Sequence, residues 1–149
     1  MISATIHDLD ALARTVWGEA RGEPVEGRAA VAHVVLNRAR KAQEFKAKNG
    51  RSHPLFGNGS IVGACIAAWQ FSCWNLGDPN RVKMGRLTLG DGDFMQCVEI
   101  ALKVIGGKKP DTVSGATHYY ADSIAPPKWA IGKIPVAVIG RHCFFNNID

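Results

Sequence analysis

Two carboxylates and a guanidinium fall within the octapeptide Trp17-Gly18-Glu19-Ala20-Arg21-Gly22-Glu23-Pro24. Glu19 closes a run in which Leu9, Leu12, Ala13, Val16, Trp17 and Ala20 recur at helical spacing, so it sits in a helix's last turn beside the apolar stripe. The negative helix pole and partial loss of water both disfavour its ionised form, which suits a general acid working near neutral pH. Residue types alone leave a second reading open, in which the acids and the arginine form a capping salt bridge at a helix-to-helix turn. Glu23, beside the turn and just before a helix start, reads as structural.

The other reactive side chains are more dispersed. His33, His118 and His142, with Glu19 or Cys143, contain the donor types of a zinc site, but no H-x-x-x-H spacing brings them together. His33 lies on an apolar helix and reads as a hydrogen-bonded core residue. Cys65, Cys73, Cys97 and Cys143 include no C-x-x-C pair and read as free thiols, with a Cys73–Cys143 disulfide possible if their loops meet. Asp111 and Asp122 read as turn residues. The expectation is therefore of no metal and no cofactor.

Elements that would position these groups follow from periodicity and punctuation. The first helix covers residues 8–20 with Asp8 as N-cap, and Gly22 and Pro24 end it. Pro24 opens a second helix whose core, Ala29-Ala30-Val31-Ala32-His33-Val34-Val35-Leu36, is apolar nearly all round and hence central; it turns basic through Lys41. A polar loop over residues 47–59 leads to a short helix, 61–68, capped by Ser60. Residues 76–90 form a second loop, a candidate lid or groove wall. A further helix runs from Asp91 or Asp93 to Ile105, and two β-like runs, 116–121 and 135–139, flank the Pro-rich Ala125-Pro126-Pro127-Lys128-Trp129.

A chain of 149 residues with 46% hydrophobic and 21% charged side chains is expected to form one domain with its own core. Its net charge of +5 and pI near 9.2 favour acidic polymers as partners. No helix-turn-helix or basic-aromatic pattern points to nucleic acid, and no run approaches the roughly 20 apolar residues of a membrane span. The stretch Met1-Ile2-Ser3-Ala4-Thr5-Ile6-His7-Asp8 has no signal-peptide character, so synthesis and folding in a cytoplasm are expected.

The octapeptide and the helix ending Val35-Leu36-Asn37-Arg38 resemble the opening of the cell-wall hydrolase family, the spore-cortex-lytic germination enzymes of bacilli and related phage lysins. Ser60-Ile61 with Gln70-Phe71-Ser72 resembles the family's second block, and Asp111-Thr112-Val113-Ser114-Gly115-Ala116-Thr117-His118-Tyr119-Tyr120 its third. Pro127-Lys128-Trp129 and Ile139-Gly140-Arg141-His142-Cys143-Phe144-Phe145 resemble the closing block. The loop over 76–90 looks longer than in the spore enzymes, and no peptidoglycan-binding repeat precedes the blocks, which suits a phage-type endolysin released through a holin.

This resemblance implies an α+β fold, mainly helical and lysozyme-like with a small β element, in which residues 1–149 form one catalytic domain acting as a monomer. It implies a peptidoglycan glycan strand as substrate and Glu19 as the single catalytic residue. Glu19 would cleave the β-1,4 bond between N-acetylmuramic acid and N-acetylglucosamine as a lytic transglycosylase. Gln70, Phe71, Ser72, Trp74, Tyr119, Tyr120 and Trp129 are the expected substrate-binding residues, through sugar stacking and hydrogen bonds to acetamido groups. If Tyr119 and Tyr120 lie on a strand, at most one should face the groove. Alternatives are a hydrolytic muramidase, a zinc amidase cutting the muramoyl–peptide bond, and a wall-binding module without chemistry.

Overall fold

The computed structural model describes residues 3–148. Five α-helices come first: α1 (Ile6–Ala20), α2 (Val25–Asn49), α3 (Ile61–Ile66), α4 (Pro79–Gly85) and α5 (Gly92–Ile105). Three short strands follow, β1 (His118–Ala121), β2 (Ala137–Ile139) and β3 (His142–Phe145), with 3₁₀ turns at Ser72–Trp74 and Lys128–Ala130. Among the described residues no helix is long and apolar enough to cross a membrane.

Helix α1 packs on α5, α2 and α3 and carries Glu19 at its inner end. Its N-cap is Thr5 rather than Asp8. Thr5 Oγ1 accepts the Asp8 N–H at 3.2 Å while the Asp8 carboxylate accepts the Thr5 N–H at 2.9 Å, a reciprocal capping box. The other oxygen of Asp8 accepts the Val62 N–H at 3.0 Å, which seats α3 against the start of α1.

Helix α2 is buried almost continuously from Gly27 to Ala39, as its apolar composition requires. Pro24 is its N-cap rather than its first helical residue. The helix also runs to Asn49, two turns beyond the basic run, because Gln43, Glu44, Lys46, Ala47 and Lys48 are good or neutral helix formers with no breaker among them. The expected loop over 47–59 therefore starts only after Asn49. Helix α3 stops at Ile66 instead of 68, and α5 starts at Gly92.

The stretch 76–90 is not all loop. Asp78 caps α4 by accepting the Asn80 N–H at 2.8 Å, Pro79 fills the first helical position, and Met84 is buried against α1. Leu12 and Val16 of α1, Val34 and Val35 of α2, and Phe94, Cys97 and Ala101 of α5 meet Phe71, Met84 and Phe144 in the core cluster. Each large apolar side chain in it contributes about 1.5–3 kcal/mol through burial.

The strands form an antiparallel sheet in the order β1-β3-β2. Strand β3 was not anticipated, and β1 and β2 are shorter than the runs 116–121 and 135–139. Tyr119 pairs with Phe144 and Ala121 with His142, so these side chains share the face packed on the helices. His118, Tyr120, Cys143 and Phe145 occupy the opposite face, where Phe145 and Tyr120 stack at 5.6 Å and Trp129 meets Phe145 edge-on at 5.2 Å. All four cysteines are free thiols, Cys143 half-buried and the others buried, so Cys73 and Cys143 are not paired.

Candidate active site

Glu19 lies where the last turn of α1, the Ser72–Trp74 turn and strand β1 converge. Tyr119 Oη donates a hydrogen bond to Glu19 Oε1 at 3.0 Å. Cys73 approaches from the other side with its thiol and its backbone N–H. The approach requires Gly18: a Cβ there would stand 2.7 Å from Met84 Sδ and 2.8 Å from Cys73 Cβ. Burial pushes the Glu19 carboxyl above the ordinary carboxylate range; the Tyr119 and Cys73 hydrogen bonds offset part of the rise, and the charge of Asp78 adds to it. Burial holds the Tyr119 phenol neutral, its proton available for donation.

Glu19 opens onto a cleft of about 420 Å³. Gln70, Ser72, Tyr119, Tyr120 and Trp129 all border it, which brings five of the seven expected binding residues to one place. Both tyrosines reach the cleft because it follows the free edge of β1, so side chains from either face of that strand border it. Two expected residues lie elsewhere. Phe71 is 1% exposed, a core residue under the Arg38 guanidinium at 4.7 Å. Trp74 donates its indole N–H to Thr15 Oγ1 at 2.9 Å and borders an adjoining hollow with Leu76 and Arg81.

Glu23 does not border the cleft. Its Oε1 accepts the Arg141 N–H at 2.9 Å and lies 3.3 Å from His142 Nδ1, so it ties the α1–α2 turn to the β2–β3 turn. Gly140 makes room for it: its φ is +58°, and a Cβ there would stand 2.8 Å from Glu23 Oε2. Burial lowers the His142 pKa, against the opposing pull of Glu23 and Asp122. His33 Nε2 bonds the Lys109 carbonyl at 2.8 Å, as a core histidine should. Among the described residues no three His, Cys, Asp or Glu side chains are grouped to hold a metal, so the candidate zinc set is not assembled.

Among the other cleft residues, Arg38 and Trp69 were not expected at the site, and His142 was expected only as a candidate zinc donor. Arg38 sits in a basic run that reads as a solvated helix end, yet it is 5% exposed. Trp69 is 82% exposed in a left-handed backbone conformation, φ 66°, and nothing in its neighbours' types announces that.

A mainly helical domain with a three-stranded sheet and a cleft carboxylate at a helix end defines a lysozyme-like fold. The same architecture occurs in the catalytic domain of the germination-specific lytic transglycosylase SleB from Bacillus anthracis, at TM-score 0.69 and 26% identity over 98% of this chain and 99% of that one. The catalytic domain of the Bacillus cereus SleB protein matches at TM-score 0.72 and 24% identity, over 98% and 94% of the two chains.

The chain belongs to the cell wall hydrolase family, whose model matches residues 22–145. That match begins just past Glu19, but the spore cortex-lytic enzyme of Bacillus subtilis (strain 168) is 30% identical over 138 residues, or 93% of this chain. The spore cortex-lytic enzyme of Oceanobacillus iheyensis is also 30% identical over 138 residues. This chain spans only 37% and 41% of the lengths of those two relatives.

Proposed function

We propose that residues 1–149 act as one catalytic unit, a peptidoglycan lytic transglycosylase with Glu19 as its acid and then its base. One observation carries the reading: Glu19 is the sole carboxylate bordering the cleft among the described residues, and it is half-buried with Tyr119 donating to it. A double-displacement or inverting glycosidase needs a second carboxylate flanking the bond, whereas ring closure by the substrate's own hydroxyl needs one group that gives and then takes a proton. The similarity to the lytic transglycosylase domain of Bacillus anthracis supports the same choice.

In this mechanism a glycan strand lies along the cleft with the muramoyl–glucosaminyl oxygen at Glu19. Burial favours the protonated form of Glu19, which gives its proton to the leaving glycosidic oxygen as the C1–O bond breaks. The carboxylate left behind keeps the Tyr119 hydrogen bond, which strengthens as charge develops on it. It then removes the proton from the muramoyl C6 hydroxyl while O6 bonds to C1, closing a 1,6-anhydro ring and restoring Glu19 to its acid form. No water is consumed. Trp129 and Tyr120 offer aromatic faces to the sugar rings, while Gln70 and Ser72 offer polar groups to the acetamido substituents.

Digestion of purified sacculi followed by mass spectrometry of the released muropeptides tests this. The expected products are lower by one water than reducing-end muropeptides, and Glu19→Gln releases none while keeping its fold. Reducing-end sugars would assign a muramidase and free stem peptides an amidase. Binding without any product would assign a wall-binding module.

A further inference from the structure

A buried arginine without an ion-pair partner stands at the floor of the cleft. Arg38 is 5% exposed, its guanidinium held over Phe71 at 4.7 Å and over Phe56 at 5.1 Å. Nε donates to the Thr117 carbonyl at 2.7 Å and Nη1 to Gln70 Oε1 at 3.1 Å. Nη2 has no partner among the described residues, nor is it sealed from solvent. The ion pairs of the described residues join Arg14 to Asp10 and Arg28 to Asp93, with His142 beside Glu23 a third only when protonated, and none includes Arg38. Removing a charge from water is costly unless hydrogen bonds and an opposite charge compensate it. Here two neutral acceptors and two aromatic faces compensate it in part, and Nη2 is left with unused donors on a side chain that borders the cleft.

The space beside it is also distinctive. A second arm of the cleft, about 350 Å³, shares Arg38, Gln70, Tyr119 and the two tryptophans with the Glu19 arm and is walled further by Leu55, His118 and Ile148. No carboxylate borders this arm among the described residues. Its histidine is neutral: burial, and then the charges of Arg38 and Lys41, lower the His118 pKa to about 4. Among the described residues this arm therefore presents a positive charge between mixed polar and apolar walls, and the carboxylate whose charge reaches the guanidinium is Glu19 in the adjoining arm.

We propose that this arm binds a carboxylate of the peptide attached to the muramoyl residue, with Arg38 Nη2 as its donor. The inference rests on the reading that the cleft takes a peptidoglycan strand. The backbone sugars of such a strand are neutral and its carboxylates lie on the peptides. An acetamido carbonyl at Nη2 would leave the buried charge without a paired anion while Glu19 holds its proton, whereas a carboxylate neutralises it and matches the planar guanidinium. Arg38 would thus select peptide-bearing units over bare sugar polymer, while Glu19 in the adjoining arm performs the cleavage.

Soluble, uncrosslinked strands in three forms test this: native, with peptide carboxyls blocked as methylamides, and with the peptides removed enzymatically and the lactyl carboxyls so freed blocked in the same way. Binding is measured on Glu19→Gln protein and cleavage on the unsubstituted enzyme. Blocked and stripped strands are expected to bind on the order of tenfold or more weaker than native ones, the effect of one charge-assisted hydrogen bond. Adding Arg38→Gln should level the three forms, and adding Arg38→Lys should keep part of the preference. If the Arg38→Gln protein fails to fold, Arg38→Lys decides: a reduced preference supports the inference, and an unchanged one assigns it to the overall basic charge and overturns it. Equal binding and equal cleavage of all three forms would overturn the inference yet leave glycan cleavage standing. A preference that persists in folded Arg38→Gln would assign it to the overall basic charge and also overturn it. Absence of both binding and cleavage in all forms would remove the glycan-cleaving reading itself.

Discussion

Replacing Tyr119 with Phe removes one hydroxyl and leaves the aromatic packing against His142 and Phe144 in place. The lost bond is the 3.0 Å donation to Glu19 Oε1. In the proposed mechanism it strengthens as Glu19 gives up its proton, so its loss bears on the transition state more than on the resting acid. A hydrogen bond to a charged group contributes about 1.5–3 kcal/mol, which corresponds to a fall of roughly 10- to 150-fold in kcat/KM. The same bond favours the carboxylate over the acid, so its removal raises the Glu19 pKa further. Activity requires the protonated form at the outset, and the alkaline limb of the pH–rate profile should therefore move to higher pH. Initial rates of muropeptide release across pH, with circular dichroism to confirm folding, measure both effects. A folded Tyr119→Phe enzyme with the original rate and an unmoved alkaline limb would refute this role for the hydroxyl.

Three further outcomes follow from the site. Glu19 has a folded-state pKa above the ordinary carboxylate value, so over the window between the two the folded protein holds a proton that the unfolded chain releases. Its contribution is present at low pH and lost as pH rises through the folded value; the thermal stability of Glu19→Gln relative to the parent should accordingly increase over that window, and a constant difference from about pH 4 to 8 would contradict the raised pKa. Gly18→Ala should destabilise by about 1–3 kcal/mol through overpacking against Met84 and Cys73, measurable by denaturant unfolding, with an unchanged midpoint arguing against the close approach. Glu23→Ala should lower stability by about 1–2 kcal/mol through loss of the Arg141 bond, while activity per folded molecule stays within severalfold; a loss as deep as that of Glu19→Gln would make Glu23 a catalytic partner.

The parts of this molecule that were readable in sequence are those governed by local periodicity. Helix α1, the buried middle of α2, and α5 follow from apolar spacing, and Glu19 follows from its place at the end of α1. Boundaries set by competing local signals were less clear. Asp8 has the chemistry of an N-cap but serves three residues into the helix, because Thr5 precedes it at capping-box spacing. Helix α4 buries little beyond Met84 and so leaves almost no periodic signal, and β3 is too short to declare itself before its two partners are known. What sequence could not supply was long-range approach. Phe71 and Ser72 are adjacent, yet one enters the core and the other borders the cleft. Arg38 opens a basic run, yet it lies in the middle of α2, and three aromatic or carbonyl groups distant in sequence bury it.

Arginines occupy the C-terminal end of α1. Arg28 donates to the carbonyls of Arg21 and Glu23, and Arg21 extends its guanidinium toward the carbonyl of Trp17. These donors meet carbonyls at and just beyond the helix end, and withdrawal from water is the largest influence raising the Glu19 pKa. Desolvation is a short-range property of the site that dissolved ions do not screen, whereas the attraction between a chain of net charge +5 and an anionic wall polymer is screened within about 10 Å at 0.1 M salt. Ionic strength should therefore govern how well this protein finds its polymer and leave the pH at which Glu19 works almost untouched.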